Sequence, residues 1–328
     1  MLVLFLALSV ATAPGLAVLQ EADGRVAEIA WALQTRNAPL CANPVPLAGF
    51  SVQTLAQYHP AIRATIASQT GIGSRPAVQA VVSGGAADRA GLRAGDTLIR
   101  IDGIPTPKDT AVRASYDASA RTQSMIEAGL RKPPLSLRIL RGRRAKTIAI
   151  TGVAGCASRV EIVTGDSLNA QADGDYVQLS GSLVEFAAND DELATIIAHE
   201  LAHNILGHRL RPSVDNVSHG VFARFGKSGA TLRKAEFDAD RLGVWLLARA
   251  GYDVDAVVPF WTRLGQSSES AGVKSDGTHP DWTDRIDRVA TAIAQVKAQR
   301  TAGGPLIPFD LPTSFPAQQS SSQAQFPR

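Results

Sequence analysis

Residues 190–208, DDELATIIAHELAHNILGH, constrain this chain more than any other stretch. They contain His199-Glu200-Leu201-Ala202-His203, two histidines four apart with a glutamate between them. Four helical residues turn through about 400°, so both imidazoles leave a helix on nearly one face and can reach a single tetrahedral Zn2+. Glu200 can then act as general base toward water at that ion. The flanking residues favour a helix. Asn189 or Asp190 is an N-cap, acidic residues fill the first turn where the macrodipole favours them, and Leu193, Ile196, Ile197 and Leu201 form an apolar face. The motif also occurs in ordinary helices, so the rest of the ligand set must decide.

A catalytic zinc takes three protein ligands and keeps one position open. His208 lies nine residues beyond His199, about 900° along a continuing helix. It is therefore expected on the far side, as a C-terminal residue suited to the helix dipole. A longer H-E-x-x-H-x-x-G-x-x-H pattern fails, because Leu206 and Arg209 stand where it needs Gly and His. Glu236, in E-F-D-A-D, is better placed. From a second expected helix it can cross to the ion and complete a two-histidine, one-glutamate site. Asp240, one turn further, can accept the N–H of a liganding imidazole and hold its tautomer. The plain alternative for residues 236–240 is an exposed acidic helix face.

At 328 residues the chain is long enough for two or three domains, and 45% hydrophobic with 19% charged residues suits a packed core. A net charge of +3 and the lack of a dense Lys/Arg stripe with aromatics argue against a nucleic-acid partner. Residues 1–19 carry no charge; an apolar run at 2–10 followed by small residues has the pattern of an export signal, with cleavage expected after Ala17. If uncleaved, this segment would be the one point of membrane contact. The chain is accordingly expected in the periplasm or cell envelope. In an exported chain the two cysteines, Cys41 and Cys156, invite a disulfide, the alternative being two buried thiols.

Residues 21–36 show helical periodicity. From about residue 70 to 155 the pattern changes to short strands and Gly-rich turns. The run G-A-A-D-R-A-G-L-R-A-G-D at 85–96, followed by T-L-I-R-I-D-G, resembles a bacterial PDZ domain. Asp102-Gly103 favours a hairpin turn, residues 135–140 and 145–150 a closing hairpin, and residues 110–130 a helix. The resemblance implies a peptide groove with its carboxylate loop expected near residues 71–74; the alternative is a PDZ-like fold that only packs. Residues 176–179 form a strand ahead of the motif helix, which would either pair with substrate or lie inside a sheet. Helices are expected at 231–250, 255–264 and 281–299, loops at 214–229 and 267–277, and a Pro/Gln/Ser-rich disordered tail from 301.

Three blocks in order, H-E-L-A-H with G-H just beyond, E-F-D-A-D-R-L-G, and T-H-P-D-W-T-D-R-I, resemble the gluzincin metallopeptidases of the HtpX, BepA, Oma and CAAX-prenyl-protease groups. The resemblance implies His199, His203 and Glu236 as zinc ligands, Glu200 as base and Asp240 behind a ligand. It also implies that His279 and Arg285 stabilise the oxyanion, or that His279 occupies the open zinc position at rest. The chain lacks the several hydrophobic spans of the membrane members, so prenylated substrates are not expected.

The fold class expected is α+β: a helical gluzincin-type domain with a small sheet, plus a PDZ-like β-rich domain. The expected boundaries are 1–17 for the signal or anchor, 18–69 for an N-terminal helical segment, 70–154 for the PDZ-like domain, 155–300 for the peptidase domain and 301–328 for the tail. The function expected is that of a zinc metalloendopeptidase acting on protein or peptide substrates, such as unfolded or C-terminal segments, in envelope quality control. The rivals are a chaperone-like peptide-binding module with an autoinhibited zinc site, and a zinc hydrolase of another kind.

Overall fold

The computed structural model of the protein describes residues 13–163, 165–208, 227–270 and 282–308. The chain divides into two compact units, Met1–Trp31 with Val45–Gly155, and Ala32–Pro44 with Cys156–Arg328. Most of the expected export signal lies at residues 1–12, outside the described residues. Among the described residues no helix is long and apolar enough to cross a membrane.

The first unit begins in helix α1 (Ala13–Arg36), which continues as far as Arg36 in the second. Helix α1 starts earlier than its periodicity indicated. Leu16, just before the expected cut, is buried with Ile66, Ile72 and Ala77. Strands β1 (Val45–Leu47) and β2 (Phe50–Gln53), helix α2 (Arg63–Thr70), strand β3 (Ala77–Val81), the single turn α3 (Ala86–Arg89) and strands β4 (Thr97–Ile101) and β5 (Ile104–Pro105) follow. Helix α4 (Asp117–Leu130) and strands β6 (Leu135–Arg141), β7 (Arg144–Ile150) and β8 (Val153–Gly155) complete the unit.

The main sheet runs β2-β3-β4-β6-β7, with β5 paired to β4, and its strand pairings are antiparallel. Alternate residues of β6 (Leu135, Leu137, Ile139) are fully buried against Leu98, Ile101, Ile126 and Ile148. Period-2 alternation therefore sets which face carries the core. Asp102 (φ 48°) and Gly103 (φ 79°) make the expected tight turn.

Three features depart from the sequence reading. The sheet starts at Phe50, well ahead of the expected boundary near residue 70. Gly49 precedes β2 at φ 76°, and a Cβ there would lie 3.1 Å from the Trp31 ring, so the chain can turn into this strand only without a side chain. Residues 71–74 follow α2 and lead into β3, whereas residues 47–49 lead into the edge strand β2. The helix expected over 110–130 occupies only Asp117–Leu130.

The second unit opens with residues 32–44. Asn37 is fully buried, and its amide donates to the carbonyls of Leu33 and Leu246. Cys41 and Cys156 form the expected disulfide, with Cα atoms 5.5 Å apart. Strands β9 (Arg159–Val163), β10 (Ala170–Ala172) and β11 (Tyr176–Ser180) form a three-stranded sheet in the order β10-β11-β9. Strand β11 pairs antiparallel with β10 and parallel with β9. Both its edges are taken, so it is the internal strand of the two alternatives and cannot pair with substrate.

Helices α5 (Gly181–Phe186), α6 (Asp190–Ile205), α7 (Lys227–Ala250), α8 (Val257–Ser270) and α9 (Trp282–Thr301) follow. The motif helix α6 packs along α7 and onto β10 and β11, and α9 packs on α7 and α8. Residues 209–226, 271–281 and 309–328 lie outside the description. With them go the expected loop near 214, His279 and most of the tail.

Candidate metal centre

The Asn189 side chain caps α6, accepting the Glu192 N–H at 3.0 Å, while Glu192 accepts the Ala188 N–H at 2.7 Å. Arg263 of α8 donates to both Glu192 oxygens, one at 2.7 Å, and holds this carboxyl below its ordinary range. The start of the motif helix is thus tied to a neighbouring helix, and Leu193, Ile196, Ile197 and Leu201 are buried as expected. On α7, Glu236, Asp240 and Gly243 recur at i, i+4 and i+7 and line one face. A Cβ on Gly243 would sit 3.4 Å from the His199 amide nitrogen, so α7 approaches the motif helix backbone to backbone at this point.

That approach brings three side chains together. His199 Nε2 is 3.2 Å from His203 Nε2 and 3.4 Å from Glu236 Oε2, and His203 Nε2 is 3.4 Å from Glu236 Oε1. A tetrahedral ion with metal–ligand bonds of about 2.05 Å has ligand–ligand edges of about 3.3 Å. The histidine–histidine distance is close to that edge, each histidine approaches a different oxygen of Glu236 at a similar distance, and among the described residues the three side chains form a group that could hold a metal ion. His199, Glu200 and Glu236 are all buried, and His203 is half-buried. The alternative of an exposed acidic face at 236–240 is excluded for Glu236 and Asp240.

The other nitrogen of His199 has its own partner. Asp240 Oδ1 lies 2.9 Å from His199 Nδ1, and Arg285 of α9 grips the same carboxylate through Nε at 2.9 Å and Nη2 at 2.6 Å. Burial alone would push the imidazole of His199 down. The carboxylates of Asp240 and Glu236 outweigh it, leaving His199 up at about 9. Burial would likewise raise Asp240, but Arg285 and His199 reverse the sign and hold it down at about 2. Arg285 is itself buried and is kept protonated by Asp240 against that burial. Its contact with His199 is on the Nδ1 side, at 3.4 Å, away from the ligand cluster.

Two residues were missed or misplaced from sequence. Trp261 of α8 stacks under the Arg285 guanidinium, 3.9 Å from the ring centroid, and meets the His199 ring edge-on. Nothing in its local sequence marks it. His208, expected on the far side, instead lies beside His203, with the two Nδ1 atoms 3.3 Å apart. The geometric argument assumed a helix continuing through 208. Helix α6 ends at Ile205, and Gly207 adopts φ 65°. Burial pushes the His208 imidazole below its ordinary range.

Comparison with known proteins gives two family matches. Residues 78–118 match the PDZ domain family, and residues 151–229 and 217–293 match Peptidase family M48. The chain is 29% identical over 143 residues to a putative beta-barrel assembly-enhancing protease of Vibrio cholerae, covering 34% of this chain and 30% of that protein. It is 24% identical over 179 residues to the mitochondrial metalloendopeptidase OMA1 of Schizosaccharomyces pombe, covering 47% and 52%. It is 30% identical over 139 residues to OMA1 of Arabidopsis thaliana, covering 36% and 28%. The matched segments thus span from under a third to about half of these relatives' own length.

Proposed function

We propose, on the premise that residues 151–293 are a peptidase family M48 domain and residues 78–118 a PDZ domain, that this protein is a zinc-dependent metalloendopeptidase. The observation that carries this reading is the cluster of His199, His203 and Glu236, whose side chains approach one another pairwise to 3.2–3.4 Å, with Glu200 next to the first histidine on the same helix. Imidazole and carboxylate donors in this number suit Zn2+. Once bound, zinc supplies Lewis acidity toward the scissile carbonyl and the attacking water.

The chain's own residues do the rest. Glu200 takes a proton from the attacking water and returns it to the leaving amine. Asp240 accepts the Nδ1–H of His199 and fixes the tautomer that leaves Nε2 free as a ligand. Arg285 was expected at the oxyanion. Its bidentate grip on Asp240, behind His199, supports a positioning role instead. His279 keeps the role its resemblance implies, a donor to the oxyanion or a resting occupant of the open position.

Substrates in this reading are extended protein segments, unfolded or C-terminal, in an exported, cell-envelope setting. Peptide addition needs a free sheet edge. In the PDZ unit β2 is an edge strand with α4 packed beside it, and residues 47–49 lead into it. The test compares the purified protein with its Glu200→Gln variant on casein, with metal analysis of both. One zinc per chain in both, with cleavage reduced about 10²–10⁴-fold in the variant, is expected. Equal cleavage by both would remove Glu200 from the mechanism. Zinc without cleavage in either would favour the autoinhibited peptide-binding module.

A further inference from the structure

His199 and His203 both present Nε2 to the ligand cluster, which leaves both Nδ1 atoms facing outward. A metal-ligating imidazole is held in place by whatever accepts its other N–H. For His199 that acceptor is Asp240. For His203 the structure offers an imidazole, and the route by which it arrives is written in the chain.

Helix α6 closes in a turn of defined type. The Gly207 N–H donates to the Asn204 carbonyl at 3.2 Å, and the His208 N–H donates to the His203 carbonyl at 2.9 Å. With Gly207 in the left-handed region, these two bonds are the paired closure of a Schellman motif. The reversal at Gly207 turns the chain back over the last helical turn. It sets the His208 ring against the His203 ring at a centroid distance of 5.3 Å, edge to face.

We propose that His208 is the positioning residue for the second metal ligand: its Nδ1 accepts the Nδ1–H of His203 and holds His203 with Nε2 toward the ion. The inference rests on the metal site proposed above and extends it to a residue outside the H-E-x-x-H motif. The two ligands are then supported unequally. His199 leans on a buried carboxylate that is itself paired with Arg285, and His203 leans on a neutral ring. A neutral acceptor orients the imidazole without placing a second negative charge behind the ion. It does so from a loop residue fixed by one glycine rather than from a packed helix.

The experiment measures zinc affinity of the full chain by competition with a chromogenic chelator, which does not depend on turnover. His208→Phe keeps a ring but removes the acceptor, and zinc affinity is expected to fall about 10–100-fold. His208→Gln retains an acceptor oxygen and is expected to stay closer to the parent than His208→Phe. Affinity in folded His208→Phe within about twofold of the parent would overturn the proposal. If the parent itself takes up no stoichiometric zinc, the metal reading fails first, so the two failures are distinguishable. Should His208→Phe not fold, side-chain 15N spectra of the unaltered zinc-loaded chain decide. A His208 ring protonated at Nε2 with an unprotonated Nδ1 supports the proposal, and a His208 ring protonated at Nδ1 overturns it.

Discussion

The guanidinium of Arg285 lies 3.9 Å from the ring centroid of Trp261, and that ring packs against the His199 imidazole in a T-shaped arrangement with centroids 5.5 Å apart. Helix α8 therefore closes the buried side of the metal centre with an aromatic plane. The plane covers one face of the cation whose other contacts go to Asp240 and His199. A desolvated cation–π pair contributes about 2 kcal/mol. More important here, the indole removes water from the side of Arg285 that Asp240 does not occupy, which strengthens their pairing.

Trp261 should therefore report on the ion. Zinc addition places a divalent charge on a ring in contact with its indole, so tryptophan emission should change on titration with zinc. Trp261→Phe should remove more than half of that change although three other tryptophans remain. The same substitution should lower stability by about 1–3 kcal/mol, through lost packing area and a weaker cation–π contact. An undiminished zinc-dependent signal in Trp261→Phe would show that the ion does not bind at His199.

Arg285 and Asp240 should behave as one unit. Removing only the cation in Arg285→Met leaves a carboxylate that is almost wholly buried, and such a loss costs about 3–5 kcal/mol. Asp240→Asn should cost zinc affinity about 10–100-fold, because the amide keeps one neutral acceptor oxygen for His199 and Arg285 to share and loses the charge that both lean on. The double variant should be less destabilised than the sum of the two single variants, by about 1–3 kcal/mol in urea unfolding. Strict additivity would mean that the bidentate contact contributes nothing.

The disulfide closes a loop of 115 residues and anchors the Asn37 turn, whose side chain reaches the carbonyl of Leu246 at the end of the helix that carries Glu236 and Asp240. Losing such a crosslink costs about 2–5 kcal/mol. Each kcal/mol corresponds to about 2–4 °C for a unit of this size. The Cys41→Ser/Cys156→Ser double variant, or the reduced protein, should thus melt about 5–15 °C lower by calorimetry. No shift on reduction would show that the buried Gln34 and Asn37 hydrogen bonds hold the segment without the bond.

Much of this site was legible because it rests on helical periodicity. His199 and His203 at i, i+4, and Glu236 and Asp240 at i, i+4, each define a face, and two apolar helices carrying such faces have few ways to pack. The disulfide was legible from cysteine number and expected export. Trp261 was not, because a tryptophan on an apolar helix face carries no sign of what it stacks on. His208 was misplaced because the angular argument ran a helix past its own stop. The Leu206-Gly207 pair was the available signal, since glycine just past the last helical turn marks a left-handed cap. Strand β2 escaped for a different reason. Four residues are too short for alternation to declare itself, and its position depends on Gly49 fitting under Trp31, a tertiary fact.

The last prediction concerns the first unit and pH. Asp23, on α1, accepts a hydrogen bond from the Gln79 amide, which only partly offsets its burial; the net effect raises its pKa from 3.8 to about 6. Nearby Tyr58, whose hydroxyl donates to Gln53 at 2.7 Å, is pushed up to about 12, first by burial and then by the Asp23 charge. The sign follows from linkage. The folded protein binds this proton more tightly than the unfolded chain, so the neutral acid favours folding and stability declines as pH rises from about 4 through about 6. Above that window the ionised carboxylate carries an uncompensated desolvation cost. Asp23→Asn keeps an acceptor for Gln79 and removes the charge. It should be more stable than the parent at pH 7.5, by about 1–2 kcal/mol after allowing for partial exposure. The difference should shrink below pH 6 and vanish near pH 4. Denaturant unfolding at several pH values measures it. A gap that does not change between pH 4 and 7.5 would mean that Asp23 titrates as an ordinary surface carboxylate.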